Sequence, residues 1–238
     1  MLAVLCPISA HAEEEGEGAE IRAQLVPKRF TTLSSEIAAR IERLSVREGE
    51  RFKEGQVLVG LDCALQRAAL DEARATLAAA EKSRSVTKRM VELNSGGVLE
   101  ADLAAAEAAK AQAKLQSAQV VLSKCAVTAP FPGRVVEQKV REHQYVQAGQ
   151  PMLDILDDAT LEVEFIAPSR ALAWIKPGLA FEVRVDETEH AYQAKVTRIG
   201  AKVDPVSHSV KVVGEITGAF PALVAGMSGR VVFPAHPS

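Results

Sequence analysis

Apolar residues between positions 63 and 125 recur at intervals of seven. Leu70, Leu77 and Val91 share one row, with Ala73 and Ala80 between its first members; Ala108, Leu115 and Leu122 form a second row, and Ala104, Ala111, Ala118 and Cys125 a third. That spacing puts side chains on one narrow stripe of an α-helix, as in helices that pack along a seam. The other positions are dominated by Glu, Lys, Gln and Arg, and no proline interrupts the stretch. Asn94-Ser95-Gly96-Gly97 halts the pattern near its midpoint, because paired glycines and Asn/Ser favour turns. Two antiparallel helices are predicted, the first capped by Asp62 and the second covering residues 99–124. At about 1.5 Å per residue each arm is on the order of 40 Å long. A stripe this narrow satisfies one partner helix and no third element, so a free-standing hairpin is expected.

The flanks alternate instead. Residues 46–56 (VREGERFKEGQ) and 140–150 (VREHQYVQAGQ) share Val, Arg, Glu, Gly and Gln at matched positions, and internal repetition is a strong architectural signal. Glu36-Ile37-Ala38, Arg40-Ile41-Glu42, Leu44-Ser45-Val46 and Val57-Leu58-Val59 read as strands, with turns at Gly49 and Gly55. Together they make half of a β module. TAPFPG (128–133), Arg134-Val135-Val136 and residues 140–155 make the other half, so one β-sandwich is split by the helical insert. Residues 21–30 alternate weakly and are expected to form a strand that pairs with the C-terminal part. Beyond Asp157-Asp158, strand-like runs at 161–166, 181–185, 192–199, 210–216 and 230–233 predict a small β-barrel. A short helix over 168–175 is expected to plug one end.

Composition removes several functions. The chain has 28 basic and 31 acidic residues, a formal charge of −3, which leaves no excess cation to neutralise phosphates. Aromatics at 4% are too few for a base-stacking platform, so no nucleic-acid partner is expected. His11, His143, His190, His208 and His236 lie in separate segments without ligand spacing. Met1, Met90, Met152 and Met227 form no soft-metal cluster. Gly226-Met227-Ser228-Gly229 lacks the spacing of a nucleophile elbow. No enzyme, metal site or cofactor is expected. Residues 1–12 (MLAVLCPISAHA) end in a small-x-small pattern followed by acidic residues, as the end of a secretory signal does. No Lys or Arg precedes the apolar run, so the true start is expected upstream.

With these features in place the chain resembles the periplasmic adaptors, or membrane fusion proteins, of tripartite efflux and type I secretion systems, with the RND-type adaptors most similar. The resemblance rests on the split halves, on TAPFPG, on Val203-Asp204-Pro205 leading into Ser209-Val210-Lys211-Val212, and on Ala225-Gly226-Met227. It implies a mixed α and β, elongated fold: a split lipoyl-like β-sandwich (34–62 with 126–157), an inserted coiled-coil hairpin (63–125) and a small β-barrel (158–238), after a signal (1–12) and an N-terminal linker and strand (13–33). It implies a hairpin tip that meets an outer-membrane channel through Arg89, Leu93, Gly97 and Glu100. Glu100 stands where the family carries Ser, which points to a helix start at Gly97 and to a different channel. An inner-membrane transporter, RND rather than ABC, and a homo-oligomeric ring of three or six copies complete the implied assembly in the periplasm. Members often carry a further membrane-proximal domain after the barrel; a full one is not expected within residues up to 238. Other readings are a biotin or lipoate carrier domain, although the insert replaces the turn that holds the modified lysine, and a periplasmic coiled-coil scaffold.

Cys63 and Cys125 fall at one height at the base of the two arms. In an oxidising compartment they are expected either as a disulfide clamping the hairpin or as two small buried thiols.

Overall fold

The computed structural model describes residues 20–234 apart from Ala219; the signal expected over residues 1–12 lies outside them. The described elements begin with β1 (Ile21–Pro27), β2 (Phe30–Ser34), β3 (Ala39–Leu44), β4 (Arg51–Phe52) and β5 (Val57–Leu61). Helices α1 (Ala64–Glu92) and α2 (Val98–Ser123) follow, then β6 (Ala126–Thr128), β7 (Gly133–Gln138), β8 (Tyr145–Val146) and β9 (Pro151–Leu156). The chain ends in β10 (Leu161–Pro168), a short 3-10 helix (Ser169–Ala173), β11 (Ala180–Val185), β12 (His190–Asp204), β13 (Ser209–Ile216) and β14 (Ser228–Val232). The described residues form two compact units, one spanning Arg29–Asp157 and the other combining the described residues before Arg29 with those after Asp157.

In the first unit two four-stranded sheets, β2-β9-β7-β4 and β6-β5-β3-β8, enclose one core. Alternation does the sorting: β3 buries Ala39 and Ile41 and exposes Arg40 and Glu42, as a pleat with one covered face requires. Ile41, Leu58, Val59, Val146, Met152, Leu153 and Ile155 are completely buried. Removing each such side chain from water stabilises the fold by roughly 1.5–3 kcal/mol.

The sequence repeat becomes a reciprocal hydrogen-bond pattern. Glu48 Oε1 accepts the Gln138 amide at 2.9 Å, and its counterpart Glu142 Oε1 accepts the Leu44 amide at the same distance. Gly49 N–H donates to Val135 O while the matching His143 N–H donates to Ile41 O. The residues after them close the exchange, Val135 N–H donating to Glu50 O and Ile41 N–H to Gln144 O. Ala39 pairs with Val146 as Gly133 pairs with Phe52. Each half therefore satisfies polar groups of the other, and neither half can complete its backbone bonding alone.

Two local expectations need correction. Residues 36–38 form a bend, not a strand. The Ser35 amide is taken by Gln150 O and the Ser35 hydroxyl by Ile37 O at 2.6 Å, so the backbone turns between β2 and β3. Asp62 stands one position before the N-cap of α1, Cys63, which makes no side-chain cap bond, but the Asp62 carboxylate does accept an amide of the first helical turn. The Asp62 amide is still engaged by Arg40 O at 2.8 Å, which holds the residue in the sandwich. Its carboxylate reaches the Ala64 amide at 3.4 Å and Arg40 at 3.0 Å, and these contacts, the Ala64 amide first, hold its pKa below the ordinary aspartate value.

TAPFPG acquires a structural reason in the same unit. Arg29 Nε and a terminal guanidinium nitrogen both donate to Asp157 Oδ2, at 2.9 and 2.7 Å, and the guanidinium lies 4.8 Å from the centre of the Phe131 ring. Gly133 lets the backbone of Leu156 come against β7.

In the second unit β1-β10-β13-β12-β11-β14 close into a six-stranded barrel. β1 pairs with both β10 and β14, so the strand expected near residues 21–30 closes the cylinder and leaves it without an edge. Phe165 and Phe181 meet edge to face at 5.5 Å in its core. Gly214 leaves the space that the Phe181 ring fills, since a Cβ there would stand 2.4 Å from the ring. The expected short helix is the 3-10 helix, which with the residues after it adds Ala171 and Ile175 to the barrel core.

Candidate functional site

The candidate site is the helix pair and its tip. α1 and α2 lie side by side in opposite directions. The inward positions of α1 are Gln66, Leu70, Ala73, Leu77, Ala80, Thr87 and Val91; those of α2 are Ala101, Ala104, Ala108, Ala111, Leu115, Ala118 and Leu122. These are the rows read from the sequence, with Gln66, Thr87 and Ala101 added. Only Leu70, Ala73, Ala108 and Ala111 are fully buried. Alanine facing alanine lets two helices approach closely, and the outer surfaces are mostly polar, with Leu65, Val86, Val120 and Val121 as scattered exposed apolar residues. Lys114 and Glu72 pair across the two helices at 3.4 Å, an exposed contact worth at most a fraction of a kcal/mol.

At the base Cys63 and Cys125 are joined by a disulfide, with Cα atoms 6.1 Å apart and a sequence separation of 62. Cys63 is completely buried in the sandwich core, and Leu122 and Cys125 pack against the same core. Cys125 O accepts the Leu61 amide at 2.9 Å, so the bridge continues the β5–β6 pairing into the arm. Lys124 and Glu36 add an ion pair of 2.7 Å beside it.

At the far end the backbone closes by a recognisable cap. Asn94 N–H donates to Val91 O at 2.9 Å and Ser95 N–H to Met90 O at 2.8 Å, while Asn94 takes φ 55°. This is a Schellman motif with asparagine in the left-handed position usually filled by glycine. Gly96 is required by space, because a Cβ there would lie 2.9 Å from the Met90 Cβ. Gly97 is the N-cap of α2 in an extended conformation, and a Cβ there would meet nothing within 4 Å. Asn94→Val is expected to weaken the tip by about 1–2 kcal/mol, because a β-branched residue resists positive φ. Asn94→Gly is expected to keep it intact; hydrogen exchange of the Asn94 and Ser95 amides reads the difference.

The four tip residues named from the sequence sit around this turn. Arg89 lies in the last turn of α1 and Glu100 in the first turn of α2, where each charge complements the helix dipole. Leu93 is the C-cap of α1 and Gly97 begins α2. Leu93 was among the residues named; sequence reasoning missed Met90, Val98, Leu99 and Leu103 beside it. Leu93, Val98 and Leu99 are 64, 65 and 72% exposed, and Met90 and Leu103 are exposed too. Their signal was visible: they are apolar residues that fall off the seven-residue rows. No group of His, Cys, Asp or Glu among the described residues could hold a metal ion, and no described helix is long and apolar enough to cross a membrane.

Residues 29–158 match the family model described as RND MFP, barrel-sandwich hybrid domain. The chain belongs to the RND membrane fusion protein family. An uncharacterised protein of Haemophilus influenzae is 30% identical over 180 residues, covering 73% of this chain and 46% of that protein. The antibiotic efflux pump periplasmic linker protein ArpA of Pseudomonas putida is 35% identical over 104 residues, covering 44% of this chain and 28% of its own length. The chain thus spans less than half the length of these two relatives. The membrane fusion protein Spr0693 of Streptococcus pneumoniae superposes with a TM-score of 0.78 at 20% identity, over 92% of this chain and 99% of that one. The fold is therefore that of a membrane fusion protein, with a β-sandwich, two helices and a closed six-stranded barrel. The family drawn from the split repeat is the family found, and these relatives do not favour a biotin or lipoate carrier or an unrelated scaffold.

Proposed function

We propose that the chain is a periplasmic adaptor that links an inner-membrane RND transporter to an outer-membrane channel for export. The observation that carries this reading is the arm: its two helices close on an alanine-rich seam, and its end gathers Leu93, Val98, Leu99 and Leu103 in solvent, a denser apolar group than the scattered Leu65, Val86, Val120 and Val121 along its length. Apolar surface left at the end of an arm gains roughly 25 cal/mol per Å² on being covered by a partner. The likeness to the Pseudomonas putida periplasmic linker protein supports the periplasmic setting, and the family match supports RND over ABC transporters.

In this reading the helix pair is a coiled-coil hairpin and the sandwich is a lipoyl-like module that packs beside its copies in a ring of three or six. The barrel meets the transporter. Leu93 supplies the apolar contact to the channel, Arg89 and Glu100 set its charge register, and Gly97 allows close backbone approach. The disulfide fixes the arm at its base. The work done is bridging and sealing, with no bond made or broken.

A photo-crosslinking residue placed at Leu93 in cells is expected to capture an outer-membrane channel protein. Leu93→Asp is expected to cut export roughly tenfold or more, as loss of a central anchor does, with an unchanged melting temperature because the side chain is exposed. Absence of any channel adduct, together with wild-type export by Leu93→Asp, would sink the tip assignment.

A further inference from the structure

The connection between β12 and β13 carries the most exposed large apolar side chain among the described residues, Val206, at 89%. It is held out by a built turn. Asp204 Oδ1 accepts the amides of Val206 and Ser207, both at 2.9 Å, and the Ser207 hydroxyl at 3.1 Å. The Ser207 and Ser209 hydroxyls stand 2.7 Å apart. His208 O accepts the Ser169 amide at 2.8 Å, which ties the turn to the start of the 3-10 helix. The Ser207 and Val206 amides, in that order, hold the Asp204 carboxyl below its ordinary range, so the acid stays ionised and occupied with its own turn.

Two further exposed aliphatics belong to this end of the barrel. Ile166 lies opposite Lys211 near the end of β10, and Val203 lies opposite Val210 near the end of β12. Lys202 precedes Val203, Arg170 follows the Ser169 that bonds His208 O, and Lys176, whose ammonium donates to Leu172 O at 2.8 Å, follows the 3-10 helix; all three are exposed. Among the described residues no carboxylate pairs with any of the three, whereas Glu164 is taken by Lys211 and Glu162 by Arg198. With the Asp204 carboxylate of the turn counted, the three cations still leave a positive excess here, in a chain whose formal charge is −3.

A narrow turn with one aliphatic at its tip, backed by long cationic side chains, offers little of the broad area that a stable protein interface buries. It does match a layer of anionic headgroups, into which an aliphatic tip inserts while lysine and arginine reach the phosphates. We propose that this end of the barrel, with Val206 at the tip and Ile166, Arg170, Lys176 and Lys202 behind it, docks on an anionic bilayer surface. The inference concerns the barrel alone, and its test involves neither transporter nor channel, so it can fail while the export reading stands.

The test uses the purified full chain with vesicles of phosphatidylcholine, alone or mixed with phosphatidylglycerol. Co-sedimentation measures binding. The single tryptophan, Trp174, reports it independently through its emission, since it lies just after the 3-10 helix against Phe233 at 4.9 Å. Binding is expected only to the mixed vesicles and is expected to weaken as salt is raised. Lys202→Gln is expected to lower the affinity about fivefold, and Val206→Asp by at least as much. Both side chains are at the surface, so circular dichroism and melting should match the parent chain. Because the N-terminal residues are common to all variants, the differences isolate the barrel end. Equal binding to both vesicle types, no binding to either, or parent affinity in both variants would overturn the proposal. Binding of a detergent-solubilised transporter lost in Val206→Asp, without vesicle binding, would also overturn it and make this end a protein contact.

Discussion

Gly133→Ala is expected to abolish folding of the sandwich. A methyl group at that position would stand 1.9 Å from Leu156 O, 2.8 Å from Leu156 C and 3.2 Å from the Asp157 Cα. All three are backbone atoms of β9 and the residue after it, and β9 is hydrogen-bonded to β7, so no flexible side chain can swing aside. Relief requires β7 and β9 to part. That removes ladder bonds and opens a core that includes Val135, Leu153 and Ile155. The cost belongs to the exceptional class of single substitutions, about 4 kcal/mol or more. Gly97→Ala is the proper comparison, since it adds the same methyl where nothing lies within 4 Å and should cost less than about 1 kcal/mol. Urea unfolding followed by circular dichroism separates the two; similar midpoints would show that β7 and β9 tolerate the methyl.

The second large effect comes from sulfur. A protein with Cys63→Ala and Cys125→Ala is expected to lose about 4 kcal/mol, the loop-closure entropy regained by the unfolded chain when a cross-link of this span is removed. Closing 62 positions is what makes the number large, because the constraint acts mainly on the unfolded state. Burial of Cys63 in the sandwich core adds a small packing loss. Chemical denaturation of the oxidised parent, the reduced parent and the double variant should give one high and two low midpoints. A reduced parent as stable as the oxidised one would contradict the entropic account. Thiol counting on denatured, unreduced protein gives the direct control.

The parts of this fold that were legible in the sequence are those governed by short-range periodicity or by repetition. Leu70, Leu77, Ala108, Leu115 and Leu122 announce a seam because helix geometry brings every seventh residue to one side. Residues 46–56 and 140–150 announce two equivalent halves because they share a sequence. What escaped depends on contacts between distant segments. Glu36-Ile37-Ala38 has strand-forming residues, yet its bend is imposed by Gln150, far along the chain. Asp62 accepts a first-turn amide as a cap would, but α1 begins one residue later than a cap at Asp62 implies, because the Asp62 amide is held by Arg40 in β3. The reason for Gly133 lies in Leu156 and Asp157, and no local pattern could supply it. At the tip, the charged and turn residues stood out in the sequence, whereas the apolar surface around them became apparent only once the seam was known and Val98, Leu99 and Leu103 were seen to lie off it.

The cystine at the base of the arm also decides where mechanical load travels. The chain leaves the sandwich at the end of β5 and returns at the start of β6, and these neighbours pair at Gly60 with Ala126. Tension applied to the tip therefore pulls both strands from the same end, the direction in which a ladder opens one bond at a time. The Cys63–Cys125 bridge sits at that opening point and ties the two pulled strands together before the first rung. A tug on the tip then reaches the sandwich as a single covalent fork whose prongs cannot be peeled apart, and the strands must yield together or hold.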